Sequence, residues 1–397
     1  MLPTQISQSF SSEPTEQALK VLRDYLQKNN NDIGAEAFHQ ASVLEEQYGD
    51  WNLAGAAHQS CIELAPNNPI ALLYAGHWLQ LSGMHEGAAA LYSLCQDTNP
   101  AFIGLNRNSG QTENTITRSV QARQQLRQFL SDHHRSNVSK TKSMSVHDAV
   151  WLRTHDGALS LAKNYSPSLF WVKDLKQQAY HPQNSFDWSD TLLSAAKDIK
   201  QELWAFLSKD PNNDLVRPYL QGTPADYQNL SKLVNSKDWS AIDLFKDGKH
   251  EAEILEAFPE TFKALQDVPC YKLNKQPFEV FFSILKAGQI IAPHHGQSNH
   301  SLTVHLPVEI PGDGYLEVDG VKKSWQHDEL LIFDDNFLHS ATNNSNKDRI
   351  VLIFSIWHPD LNPDDQKAIQ TAFKARADWL NNRWKMAKAD FKKALNS

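Results

Sequence analysis

The sequence predicts an α+β multidomain chain, in which N-terminal α-helical repeats of tetratricopeptide-like period precede a double-stranded β-helix, or jelly roll, with flanking helices. Three observations predict it. Over residues 15–105 alanine and leucine recur at three- and four-residue steps without β-branched alternation, which is the mark of helices. Shifting that segment by 34 residues carries Gly49 onto Gly83, Ala54 onto Ala88, Ala56 onto Ala90, Cys61 onto Cys95 and Pro66 onto Pro100, and this is the tetratricopeptide period. From Pro277 to Pro359 the hydrophobic period falls to two, with turn-forming PGDG and NNSN between short runs, as a jelly roll requires.

Each repeat reads as one helical hairpin. The glycine permits the turn, the small residues let two helices approach, and the proline ends the second helix. Two units are fewer than a free-standing solenoid needs, so residues 1–105 are expected to pack on flanking helices or on the rest of the protein and to act as a scaffold or docking domain. Residues 106–160 read as a helical and linker region: a polar stretch, a helix near Thr117–His133, then the weakly patterned HHRSNVSKTKSM. In the third segment, residues 161–361, an apolar piece lies between Pro167 and Pro182 and a helix is expected near Trp188–Leu207. Its expected strands are Phe278–Leu285, Ser301–Glu309, Tyr315–Val318, Glu329–Phe333 and Arg349–Trp357. Residues 362–397 form an amphipathic helix with Phe373, Trp379, Trp384 and Phe391 on one side and a solvated basic face on the other.

A chain of 397 residues with 41% hydrophobic residues can bury large cores, and its net charge of -8 argues against a nucleic-acid partner. No run is apolar enough to span a bilayer and the first residues lack a leader's pattern, so a cytoplasmic protein is expected. Cys61, Cys95 and Cys270 are odd in number and far apart, which fits reduced thiols and leaves nitrogen and oxygen as the ligands for any metal.

The chemistry concentrates in the strands. In SLTVHLP, Leu302, Val304 and Leu306 share one face while Ser301, Thr303 and His305 share the other. Ser283 in FEVFFSILK and Arg349 in RIVLIFSIW likewise bring polar groups to apolar strands. Polar groups facing into a sandwich need a ligand or each other, and an arginine there suits a carboxylate bound bidentately. The alternative for Arg349 is an exposed edge residue paired with Asp348. Four histidines, His294, His295, His300 and His305, crowd IIAPHHGQSNHSLTVHLP, and His339 follows 45 residues after His294 and ten before Arg349. Imidazoles suit iron, zinc or copper.

That order resembles the 2-oxoglutarate oxygenases, and the residues around it resemble the aspartyl/asparaginyl β-hydroxylase family in particular. PHHGQSNHSLTVHLPV is similar to the family's P-H-x-G-x-x-N-x-x-L-x-x-H-L block, and ELLIFDDNFLHSATNNSNKDRIVLIFSIWHPDL to its F-D-D-x-x-x-H…R…W-H-P block. Weaker similarity runs upstream through FPET and KDWS to Leu169, so residues 161–361 resemble that family's jelly-roll oxygenase domain. The resemblance implies Fe(II) bound by His294 and His339, and 2-oxoglutarate held at its distal carboxylate by Arg349 and Ser283. His305 would lie near the chelating end and Trp239 would line the pocket. It further implies O2 as co-reactant, with succinate and CO2 released as an unactivated C–H bond is hydroxylated, and a peptide or protein substrate of Asp, Asn or Pro type, docked by the helical repeats.

Two positions depart from the commoner patterns. Gly296 stands where most such oxygenases have a carboxylate ligand; the family resembled also has glycine there. Asp334 and Asp335 could substitute, although aspartates closing a strand are more often structural. Thr303 replaces an arginine of animal members, which leaves three readings: the chelating carboxylate is held differently, the substrate is not an acidic peptide, or the change is ordinary sequence drift. His295 and His300 lack counterparts, and His358 of WHP reads as structural. Three further readings compete: an inactive scaffold with an oxygenase fold, a hydroxylase of a small molecule or lipid acyl chain, and a zinc hydrolase. The last leaves Arg349 without a purpose.

Overall fold

The structure, a computed structural model, describes residues 16–28, 33–139, 143–152, 159, 161–209, 214–273 and 275–397. The N-terminal stretch read for a leader and residues 140–142 of the polar linker lie outside them. The chain divides into two compact units, residues 1–136 with 375–397, and residues 137–374.

The first unit is helical: Glu16–Lys28, Ala35–Tyr48, Trp51–Leu64, Pro69–Leu81, His85–Thr98 and most of Glu113–Val138. Its geometry repeats with the sequence. Helices begin at Ala35 and Pro69 and at Trp51 and His85, each pair 34 positions apart. The Cys61 thiol donates to the Ala35 carbonyl at 3.3 Å and the Cys95 thiol to the Pro69 carbonyl at 3.2 Å, so one contact recurs in both hairpins. Capping explains the helix starts. The Asp50 carboxylate accepts from the backbone N–H of Asn52 and Leu53, and the Asn68 side chain accepts from those of Ile70 and Ala71 ahead of Pro69. The two turn glycines differ: Gly83 takes φ +77°, whereas Gly49 sits at φ -127° and is small because the Glu45 carboxylate fills the space of a side chain. Ala90 is buried but its counterpart Ala56 is exposed, so the small-residue rule holds at Ala54 and Ala88 more than there.

Trp78 centres this core, stacked on Trp51 at 5.8 Å and on Phe391 at 5.5 Å. Phe391 and Trp379 belong to the helix Pro363–Ala394, whose residues from 375 onward join this unit. Its basic side is not simply solvated, because Arg383 bonds Asp97 at 2.6 Å and Ser93 at 2.8 Å. Beside the core lies a buried ion network. Glu46 accepts from His58 at 2.7 Å and from Arg118 at 2.5 Å, and the guanidinium also lies 4.2 Å from the centre of the Tyr74 ring. Glu46→Gln leaves Arg118 buried without its anion, so unfolding followed by circular dichroism should show a loss of roughly 3–5 kcal/mol. Burial alone would raise the Glu46 carboxyl, but the His58 and Arg118 bonds outweigh it and bring it from 4.5 to about 2. A carboxyl depressed on folding stabilises above its unfolded value. This contribution should therefore vanish as pH falls from about 4.5 to 2 and be missing from the acid titration of Glu46→Gln.

Among its described residues the second unit holds thirteen strands. They are β1 (Val150–Trp151), β2 (Phe170–Trp171), β3 (Tyr180–His181), β4 (Val216–Pro218), β5 (Trp239–Lys246), β6 (Glu279–Leu285), β7 (Ile290–His294), β8 (Ser301–Glu309), β9 (Gly314–Val318), β10 (Val321–Lys323), β11 (Leu331–Phe333), β12 (His339–Asn343) and β13 (Arg349–Trp357). A seven-stranded sheet runs β3-β11-β8-β13-β6-β5-β4, a four-stranded sheet runs β10-β9-β12-β7, and β1-β2 form a separate ribbon. The named strands pair antiparallel throughout.

One face of the large sheet packs under helices, with Ile242, Phe282, Val304 and Leu306 against Leu203, Phe206 and Phe258. Its other face meets the small sheet, with Trp239, Leu285, Leu331 and Val351 against Ile291, Leu316, Val318 and Ala341. Alternation along each strand makes both cores possible, since neighbouring residues point to opposite faces. The helix expected near Trp188–Leu207 is two pieces, Ser189–Ser194 and Ala196–Lys209, and the strand expected from Glu329 begins at Leu331. Among the described residues no helix is long and apolar enough to cross a membrane.

Candidate active site

Between the two sheets the side chains singled out in the sequence meet around one interior. His294 ends β7 and His339 opens β12, and the antiparallel register sets them directly opposite each other. Their ring centres are 4.1 Å apart. Each ring is held by its chain: His294 Nδ1 lies 2.8 Å from the Ala292 carbonyl and His339 Nδ1 lies 3.0 Å from the Phe337 carbonyl. A carbonyl accepts only, so Nδ1 carries the proton and Nε2 keeps its lone pair, as a metal ligand must. Burial holds both rings neutral, lowering His294 from 6.5 to about 3, helped by His339, and His339 to about 4.

The remaining contacts close a circuit. Trp239 lies 6.5 Å from His294 by ring centres and donates its indole N–H to Ser283 Oγ at 3.1 Å. Arg349 reaches the same oxygen at 3.5 Å and stacks on Trp325 at 4.8 Å. Trp325 donates to His305 Nδ1 at 3.2 Å, His305 meets Phe333 edge-on at 5.1 Å, and Phe333 lies 5.6 Å from His339. Because His305 Nδ1 accepts, its proton sits on Nε2 and can be donated. Burial first, then the Arg349 charge, keeps this ring neutral.

Arg349 is the most informative member. It is 2% exposed, its Nε has no hydrogen-bond partner, and among the described residues no carboxylate pairs with it. Burial brings its guanidinium from 12.5 down to about 9. The exposed-edge alternative fails: Asp348 pairs with Lys286 at 2.8 Å, since successive strand residues face opposite ways. A buried cation without an anion is costly, and a bound carboxylate removes the cost.

Gly296 adjoins the histidines without supplying a ligand. A Cβ there would lie 2.1 Å from Asp335 Oδ1, so the space a carboxylate-bearing side chain would enter is already taken by another carboxylate. Asp335 in turn accepts from Thr303 Oγ1 at 3.1 Å, and Asp334 accepts from the backbone and side-chain N–H groups of Asn336. Among the described residues no group of three or more His, Cys, Asp or Glu is set to hold a metal; His294 and His339 are a pair. His295 binds the Asn336 carbonyl through Nδ1 at 3.0 Å. His358 lies between the Lys176 carbonyl and the Asp360 amide, and His300 is enclosed by Phe170, Tyr271 and Phe373. Sequence reasoning missed Trp325, which joins Arg349 to His305, and Tyr219, which stacks on Trp239 at 4.2 Å. Trp325 lies in KKSWQHDEL, which has no periodicity to flag it.

Known proteins match this part of the chain. The sequence profile of a family described as Aspartyl/Asparaginyl beta-hydroxylase matches residues 194–359. The human protein named Aspartyl/asparaginyl beta-hydroxylase is 29% identical over 212 residues, covering 52% of this chain and 26% of its own length. Aspartate beta-hydroxylase domain-containing protein 2 of Xenopus tropicalis is 25% identical over 212 residues, 52% of this chain and 54% of that one. Aspartate beta-hydroxylase domain-containing protein 1 of Mus musculus is 21% identical over 295 residues, 72% of this chain and 75% of that one. The chain thus spans about a quarter of the human relative and about half of the frog one. The matched segment contains Trp239, Ser283, His294, His305, His339 and Arg349 together, and it is this segment, residues 194–359, that is similar to the aspartyl/asparaginyl beta-hydroxylase family.

Proposed function

We propose that the second unit is an Fe(II)- and 2-oxoglutarate-dependent hydroxylase that acts on an unactivated C–H bond, in an Asp-, Asn- or Pro-type side chain of a peptide or protein. The observation that carries the reading is the unpaired, buried Arg349 in the same circuit as two imidazoles with free Nε2 atoms. The residues fit the groups: His294 and His339 would hold the metal, and Arg349 with Ser283 would hold the distal carboxylate of the cosubstrate. When bound, iron and 2-oxoglutarate would supply the oxidation, in which substrate C–H, O2 and 2-oxoglutarate are consumed and the C–OH product, succinate and CO2 are formed.

The protein's part is placement. The Ala292 and Phe337 carbonyls fix the two ring orientations before a metal arrives. Trp239 aims the Ser283 hydroxyl proton by occupying its acceptor site, so that hydroxyl can donate to a carboxylate. His305 offers an Nε2 proton to the chelating end, a role a neutral ring fills without adding charge. The apolar wall of Leu331, Phe333 and Val351 excludes water from a reactive centre. The strand order fits a jelly roll, and the 34-residue structural repeat supports a tetratricopeptide-like docking domain for the substrate. Three buried, unpaired cysteines suit the reducing cytoplasm.

The zinc-hydrolase reading gives Arg349 no role, and an inactive scaffold would have no reason to keep a buried cation without an anion. The test is purified protein with Fe(II), O2 and labelled 2-oxoglutarate, with cell extract as the substrate source. Metal-dependent succinate formation is expected; its absence refutes the enzyme reading.

A further inference from the structure

On the reverse of the large sheet, the row Glu309–Ile350–Ile284–Ser240 crosses β8, β13, β6 and β5 in register. Every member but Glu309 is the chain neighbour of an inner-face residue: Ile350 of Arg349, Ile284 of Ser283, Ser240 of Trp239. The row floors a cavity of about 700 Å³, the size of a small-molecule site, at the margin of the helical layer. Trp204 on the helix Ala196–Lys209 forms a wall and leaves 45% of its surface exposed. An indole that open beside two isoleucines offers an apolar ligand more contact than water does.

The rim is charged unequally. Asp348 is neutralised by Lys286 at 2.8 Å and Glu309 by Lys200 at 2.8 Å. Lys237 and Lys347 also line the cavity, and among the described residues neither has an ion-pair partner. Two isoleucines and an exposed indole beneath two unneutralised ammonium groups match one chemistry: a long apolar body ending in a single anion. We propose that this cavity binds an amphiphilic carboxylate, its chain against Trp204, Ile284 and Ile350 and its carboxylate between Lys237 and Lys347. The site is separate from the inner circuit and stands whether or not the hydroxylase reading does. Its occupant would press on the back of the strands that carry Arg349, Ser283 and Trp239.

The test is decanoate titrated into the full chain, read by tryptophan fluorescence and calorimetry, beside decanol and acetate. Decanoate should bind, acetate should not, and decanol should bind about tenfold more weakly. Lys237→Gln with Lys347→Gln, both exposed and so harmless to folding, should weaken decanoate about fivefold to tenfold and leave decanol unchanged. Trp204→Phe should remove the fluorescence change. Unaltered decanoate affinity in the double lysine variant overturns the proposal, as does a signal that survives Trp204→Phe. Displacement by 2-oxoglutarate would put decanoate in the inner cavity instead. Binding to phosphatidylglycerol vesicles with none to free decanoate would mean the lysines read a membrane surface, which also overturns it.

Discussion

Arg349→Met should abolish 2-oxoglutarate binding and, in the same experiment, make the protein without cosubstrate more stable. The two effects have one cause. In the free protein the guanidinium is buried, Ser283 Oγ at 3.5 Å is its one hydrogen-bond partner among the described residues and its Nε has none, so its desolvation is largely uncompensated. Replacing a buried charge with an apolar side chain of similar size is often worth about 1–4 kcal/mol of stability. Methionine fits the stem's path and keeps the packing against Trp325. In the loaded protein the same guanidinium would meet a carboxylate, and removing one partner of a buried charge pair costs roughly 2–5 kcal/mol. That corresponds to about a 30-fold to several-thousand-fold loss of affinity, which at a cosubstrate concentration a few times the wild-type Kd leaves no measurable binding or stabilisation. Thermal unfolding with and without 2-oxoglutarate reads both. Wild type should gain with cosubstrate by mass action, whereas Arg349→Met should start higher and gain nothing. A variant that starts lower, or is still stabilised by 2-oxoglutarate, would mean that Arg349 is structural.

How much of this was legible in the sequence depended on whether the fold uses each residue locally or across strands. The helical hairpins were legible because turn, cap and small-residue contact recur within one repeat, down to Cys61 and Cys95 making the same bond. Strands β6, β8 and β13 were legible because one face meets helices and the other a mixed interior, so the pattern alternates. Strand β5 was not, because WSAIDLFK is buried on both sides for most of its length and shows no period. Strands β7 and β12 were not either, since IIAPH contains a proline and HSATN contains little apolar bulk. Yet their pairing sets His294 opposite His339. The order of histidine, histidine and arginine could be read, but not that Trp325 would bridge Arg349 to His305 from a loop without a pattern. Nor could Gly296 be understood alone. The carboxylate filling its space belongs to Asp335, 39 positions on.

Substituting either His294 or His339 with alanine should remove metal binding almost as completely as substituting both. Two imidazoles are all that the described residues offer at this centre, with no third His, Cys, Asp or Glu grouped with them. The loss of one leaves a single neutral nitrogen, which cannot chelate. Removing an outer partner of a ligand typically costs 10–100-fold in affinity, so loss of a ligand itself should exceed about 100-fold. Groups that act as a unit are not additive, and the double variant should add little. His295→Ala is the control, because that ring bonds the Asn336 carbonyl from one position beyond the strand pair that sets His294 opposite His339. It should keep metal affinity within a few-fold. Calorimetry with Mn(II) as an air-stable probe checks all four proteins without needing the substrate. If His295→Ala fails like the others, the ligand pair has been misassigned. If His294→Ala keeps its affinity, the centre is not at the junction of β7 and β12.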